Sequence, residues 1–179
     1  MIEKNINTQY AIPITKTTFE EKFRNLKNMK PSIYIDTSVV GGCFDQEFEE
    51  WSLSLFSEFI SGTKIMMISD LVVRELELAK AIVKNQINKV PLQHTHYVFI
   101  DEDVVELARI YIDEGALTKK SYEDALHIAL ATIHNATVLA SWNFKHIVNL
   151  DKIRLYNSIN LKRGYHSIEI RTPREILKK

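Results

Sequence analysis

The chain has 179 residues, 45% of them hydrophobic, which is enough for one well-buried core and short for two, so a single domain is the default. Its 23 basic and 23 acidic residues cancel and give no global field directed at nucleic acid, although "DQEFEEW" at 45–51 is acidic and Lys and Arg outnumber Glu169 and Glu175 over 152–179. A lone cysteine, Cys43, excludes an internal disulfide framework and a Cys-rich zinc site, and no apolar run approaches the roughly 18 residues of a membrane span.

Residues 1–28 stand apart as an N-terminal extension. They are either a docking helix, with Phe19, Phe23 and Leu26 on one stripe behind a Thr18/Glu21 capping box, or the product of a mis-assigned start ahead of Met29. They lack the apolar core of a signal peptide, which together with the single thiol fits a soluble cytoplasmic protein. Residues 29–179 form the domain. "SIYID" (32–36) reads as a buried strand, a helix follows over about 49–60 with Leu53, Phe56 and Ile60 at helical spacing, and "KIMMIS" (64–69) is a second strand. "SDLVVRELELAKAIVKN" (69–85) opens on a Ser-Asp capping signal and continues with helical period, and "YVFI" (97–100) reads as a strand. "DEDVVELARIYIDEG" (101–115) is an amphipathic helix closed by Gly115, and "SYEDALHIALATIHN" (121–135) is another with Ser121 as its N-cap. "TVLAS" (137–141) and "IRLYN" (153–157) complete the strands. The alternation predicts an α/β domain, mainly a parallel sheet with helices on both faces.

In such a sheet, ligands gather at the carboxyl ends of the strands. Asp36 ends the first strand there, and an isolated carboxylate leaving a core needs a partner. Glu75 interrupts the stripe Leu71, Leu78, Ile82, Asp124 falls in the first turn of a helix, and Ser141 and Asn143 follow the strand 137–141. Taken singly, each has a plainer reading: Asp36 caps a turn, Glu75 is solvated, Asp124 complements a helix start, and Asn143 belongs to a turn. Together they reach one edge by independent routes, and two or three clustered carboxylates suit Mg²⁺ or Mn²⁺, which prefer hard oxygen ligands. His127 and His134 on one helix and His94 and His96 in a loop are read as structural rather than as zinc ligands. Gly41 and Gly42 fit neither phosphate-loop spacing, and the scattered Trp and Tyr residues offer no stacking platform.

The order "YIDTS", "SDLVVREL", "SYEDALHIALA", "VLASWNFKHIVN" resembles the PIN-domain family, in particular the VapC-like toxins of toxin-antitoxin pairs, over roughly residues 31–172. The resemblance implies a PIN-like fold and a metal-dependent endoribonuclease that leaves a 5′-phosphate and a 3′-hydroxyl. It makes Asp36, Glu75 and Asp124 the metal ligands, with Mg²⁺ or Mn²⁺ as cofactor and Thr37, Ser38 and Ser141 as polar support. Asn143 takes the fourth catalytic position, commonly an aspartate in the family. The implied partners are an RNA substrate, an antitoxin protein and a second copy of the chain in a homodimer, with no membrane. The alternative is a PIN-fold RNA- or protein-binding module whose catalysis is weakened or lost because Asn143 replaces the acid. A haloacid-type phosphatase is excluded, since it needs an aspartate where Ser38 stands.

Overall fold

The computed structural model describes residues 30–177, so the predicted helix around Phe19, Phe23 and Leu26 lies outside the described residues. Five parallel strands form one sheet in the order β3-β2-β1-β4-β5: β1 Ser32–Ile35, β2 Ile65–Ser69, β3 Thr95–Val98, β4 Val138–Ala140 and β5 Ile170–Arg171. The helices are α1 Thr37–Gly42, α2 Glu49–Ser61, α3 Asp70–Glu75, α4 Ala81–Ile87, α5 Glu102–Asp113, α6 Tyr122–Ile133, α7 Leu150–Lys162 and α8 Pro173–Leu177.

The apolar runs of β1 and β2 are continuous because both faces of a parallel sheet are covered. Successive side chains alternate between two cores. Tyr34, Met67, Leu139 and Ile170 face α5, α6 and α7, where Leu107, Tyr111, Ile128 and Tyr156 are fully buried. Ile33, Ile35, Met66, Ile68 and Ala140 face α1 and α2, where Val39, Val40, Leu55, Phe56 and Phe59 are buried. In register, Ile33 lies between Met66 and Val138, and Tyr34 between Met67 and Leu139. Cys43 belongs to the second core, and burial pushes its thiol up to about 12, far from a nucleophilic thiolate.

α5 and α6 bear out the periodicity. Asp101 caps α5 by accepting from the Val104 N–H at 2.9 Å, and Gly115 leaves the helix at φ 79°, a conformation costly for any residue with a Cβ. Ser121 occupies the N-cap position of α6, but its side chain makes no capping bond there, because a 3₁₀ turn over Lys119–Ser121 already leads the backbone in.

Four expectations need correction. The segment 153–157 is helical: it lies inside α7, which Asn149 caps from the Lys152 N–H at 3.2 Å and which buries Tyr156 and Ile159 one turn apart, and the fifth strand is at Ile170 instead. β3 starts two residues earlier than 97–100, because an edge strand with exposed His96 and Tyr97 carries no clean buried pattern. The segment 69–85 is not one helix: after Glu75 a 3₁₀ turn spans Leu76–Leu78, and Ala79 and Lys80 are extended before α4 begins. That break buries Leu76 and turns Val83 and Ile87 onto the second core, leaving Leu78 fully exposed, so burial overrides helix propensity here. In α2 the buried stripe is Ser52, Leu55, Phe56 and Phe59, with Leu53 and Ile60 facing out.

Candidate functional site

The chain adds β2 and β3 on one side of β1 and β4 and β5 on the other. Crossovers therefore diverge between β1 and β4, and the crevice at their carboxyl ends is where an open α/β sheet accepts a ligand. A cleft of about 210 Å³ opens there, lined by Asp36, Thr37, Ser38, Glu75, Lys120, Ser121, Glu123, Asp124, His127 and Asn143.

Asp36 leaves β1 as the N-cap of α1. Its Oδ1 accepts from the Val39 N–H at 3.2 Å and from Ser38 Oγ at 2.6 Å, and its Oδ2 accepts from Ser141 Oγ at 2.6 Å. The plain reading of this residue holds, since it caps a helix, and the same carboxylate lies on the lining of the cleft. It is only 3% exposed, and burial raises its carboxyl above the ordinary aspartate range against the lowering effects of His127, Ser141 and Ser38. Ser38 and Ser141 extend the brace, since Ser38 Oγ accepts from the Trp142 N–H at 2.8 Å and Ser141 Oγ from the Asn143 N–H at 2.9 Å.

Glu75 is the last residue of α3 rather than one turn into a longer helix. Its Oε2 accepts from Thr37 Oγ1 and lies 3.2 Å from His127 Nε2. Burial works to raise its carboxyl, but the His127 and Thr37 bonds outweigh burial and hold it below the usual glutamate range. Asp124, half-buried in the first turn of α6, is raised mainly by burial, with the Glu75 charge adding to that and His146 and His127 opposing it.

Asn143 joins the group in an unforeseen way. Its Nδ2 donates to Asp124 Oδ1 at 2.7 Å, and its Oδ1 accepts from the His146 N–H at 3.0 Å. A carboxylate on one side and an N–H on the other fix the amide orientation, so its oxygen is turned to the backbone and Asn143 acts as a brace for Asp124.

His127, read from the sequence as structural, is placed on the cleft lining. One turn after Asp124 on α6, it connects Glu75 to a buried chain: its Nδ1 lies 2.8 Å from the Tyr34 hydroxyl, which lies 2.8 Å from Ser69 Oγ. The available signal was the i, i+3 spacing of Asp124 and His127 on one helix face.

Among the described residues, no three His, Cys, Asp or Glu side chains stand together as a ready-made metal cage. The donor set nevertheless fits a hard divalent ion. The cleft presents carboxylates and hydroxyls with no thiolate, and Mg²⁺ is commonly held through one or two carboxylates while keeping its waters.

In the basic C-terminal stretch, Lys162 and Arg163 both pair with Glu114 and Arg171 pairs with Glu169. The aromatic residues, scattered in sequence, are gathered by the fold: Phe48 stacks on Trp142 at 4.5 Å, with Phe144 6.4 and 6.2 Å from these two rings.

No family model matches the sequence, and no curated protein matches it. Solved structures do. A chain of a toxin-antitoxin complex from Klebsiella pneumoniae superposes with a TM-score of 0.50 at 19% identity, covering 67% of this chain and 93% of that one. A chain of VapBC2 from Rickettsia felis, bound to a DNA fragment from their promoter, gives a TM-score of 0.50 at 15% identity, covering 79% and 98%. At these identities the likeness is one of fold, and the fold is PIN-like. Among the described residues no helix is long and apolar enough to cross a membrane.

Proposed function

We propose that the chain is a metal-dependent endoribonuclease, the toxin of a toxin-antitoxin pair, with the cleft between β1 and β4 as its active site. The observation that carries this reading is the meeting of Asp36, Glu75, Asp124 and Asn143, each delivered by a different element, in one cleft at the sheet's carboxyl edge. The fold shared with chains of toxin-antitoxin complexes supports the biological role, with an antitoxin protein as partner.

One or two of the cleft carboxylates Asp36, Glu75 and Asp124 would hold Mg²⁺ or Mn²⁺ with water completing its shell, and the ion would supply charge for phosphoryl oxygens and lower the pKa of a bound water. The chain's own part is preorganisation. Ser38, Ser141 and the Val39 N–H hold Asp36 in one orientation, so its carboxylate does not have to reorganise when substrate arrives. Thr37 and His127 hold Glu75 ionised in the cleft, and Asn143 fixes Asp124. Lys120 on the cleft lining offers a positive charge to the phosphate backbone, which matters in a chain whose overall charge is zero.

The test is cleavage of a labelled RNA by the purified protein with Mg²⁺, Mn²⁺ or chelator, beside Asp124→Asn. Metal-dependent cleavage lost in the variant is the expected result; cleavage unaffected by chelator or by the substitution would overturn the reading. Relief of toxicity by co-expressing a small neighbouring open reading frame tests the partner.

One observation favours a second reading, the binding module: Asn143 turns its oxygen away from the cleft and adds no charge there. Under that reading RNA binds with the same affinity with or without metal, and no condition yields cleavage.

A further inference from the structure

Trp142 and Phe144, the chain neighbours of the cleft residue Asn143, line a groove of about 610 Å³ together with Phe48, Trp51, Arg174, Glu47 and Glu175. We propose that this groove is a nucleobase-stacking subsite that holds a base of the substrate strand next to the scissile phosphate. The inference rests on the reading of the cleft as a ribonuclease site and specifies how that site takes single-stranded RNA.

Continuity with the cleft is the first argument. Trp142, Asn143 and Phe144 are consecutive, so the segment that braces Asp124 also carries two of the groove's rings. A strand whose phosphate is held in the cleft would therefore run past the segment that carries Phe144.

Rigidity is the second. Trp142 is 9% exposed, its indole N–H donates to Ser52 Oγ at 2.9 Å, and its ring stacks on Phe48 with an interplanar angle of 25°. These two rings form a fixed wall. Phe144, in contrast, is 52% exposed and inclined 41° and 50° to them, so it keeps a free π-face. A large ring left open beside a fixed aromatic wall is the arrangement that accepts a base, and every base has a π-face to offer.

Charge gives the third. Arg174 stands with its guanidinium 5.6 Å from the centre of the Trp51 ring, held over an aromatic surface at the groove. That places a phosphate-binding cation beside the rings. Glu47 and Glu175 on the same lining oppose an anionic strand, so removing the Glu47 charge discriminates between RNA and a basic protein segment.

The experiment measures binding of a short fluorescent RNA, and of the same strand with abasic positions, to the full chain in chelator, in parallel with metal-dependent cleavage of the two strands. Phe144→Ala should weaken RNA binding roughly 5- to 150-fold, the range for loss of one stacked base, and Phe144→Tyr should restore it. The abasic strand should bind wild type and Phe144→Ala alike and be cut by both at the same rate once saturating, and Glu47→Gln should tighten RNA binding. Equal weakening of both strands, or no weakening of either, overturns the subsite. Unchanged RNA binding in Phe144→Ala together with loss of a co-expressed antitoxin would assign the groove to protein and also overturn it. Failure of the wild type to cleave the intact RNA at any metal concentration refutes the ribonuclease reading itself, a result separable from the first two.

Discussion

Asn143→Asp probes the site most sharply, because one substitution reverses the sign of one contact. In the wild type, Asn143 Nδ2 donates to Asp124 Oδ1 at 2.7 Å. A carboxylate there removes a hydrogen bond to a charged group, worth about 1.5–3 kcal/mol. It also sets two negative charges face to face, and such a pair about 4 Å apart repels by roughly 4 kcal/mol at an effective dielectric of 20. The new carboxylate can turn its second oxygen to the His146 N–H, and solvent at the half-buried Asp124 screens part of the repulsion, so the net loss is on the order of 3 kcal/mol. For a chain of this size each kcal/mol moves the midpoint by about 2–4 °C, so in chelator near pH 8 the variant should melt on the order of 10 °C below wild type. The pair's folded pKa is raised above the unfolded values, so this penalty is present at neutral pH and is relieved as pH falls through the raised pKa. Saturating Mg²⁺ or Mn²⁺ should remove the deficit and bind more tightly than to wild type, since the added charge then faces a cation. Thermal unfolding of both proteins at pH 8 and pH 5, with and without metal, is the assay. A variant as stable as wild type in chelator at both pH values would refute the reasoning.

Asp36→Asn and Asp124→Asn should separate in stability while both lose metal-dependent cleavage. In Asp36→Asn the amide nitrogen cannot accept from Ser141 Oγ, and a lost buried partner costs about 1–3 kcal/mol, whereas Asp124→Asn leaves an oxygen for Asn143 and removes a charge that repels Glu75. Denaturant unfolding reads this directly, and equal losses in both variants would contradict it. His127→Ala should return the Glu75 carboxyl toward its ordinary value, measurable by carbon-13 NMR titration. The stability that wild-type Glu75 contributes above the usual glutamate range, lost as pH falls through its lowered pKa, should shrink accordingly, and an unmoved Glu75 titration would be the contrary result. Gly42→Ala should destabilise by roughly 1–3 kcal/mol, because a Cβ there would meet Ser52 Oγ at 2.6 Å and Trp142 Nε1 at 2.9 Å, while Gly41→Ala, with nothing within 4 Å, should be neutral or stabilising. Thermal shifts of equal sign in the two glycine variants would show the close approach to be unimportant.

The central strands were legible because a parallel sheet needs apolar residues on both faces, so "SIYI" and "IMMIS" read as continuous runs. The two amphipathic helices around 101–133 were legible from their caps and period. Local pattern failed where tertiary burial decides: the break after Glu75 contains neither Gly nor Pro, and residues 153–157 alternate well enough to mimic a strand while belonging to a helix that buries Tyr156 and Ile159. At the cleft, Asp36 and Asp124 were legible as carboxylates at a strand end and a helix start, and Glu75 as a carboxylate interrupting an apolar stripe. His127 was not, since an imidazole on a helix buried almost throughout reads as core. The role of Asn143 as a brace was hidden too, because amide orientation depends on two neighbours that only the fold supplies. The aromatic groove joins positions 48, 51, 142 and 144, and nothing local in the chain links the two halves.

Hydrolysis of RNA by the Asp36–Glu75–Asp124 cleft with a divalent ion is measured by single-turnover cleavage of an end-labelled RNA across a Mn²⁺ titration, with identification of the product ends. The rate should rise from zero in chelator to saturation with metal, and the products should carry a 5′-phosphate and a 3′-hydroxyl. Cleavage that persists in chelator, products ending in a 2′,3′-cyclic phosphate, or an RNA left intact at every metal concentration would contradict it.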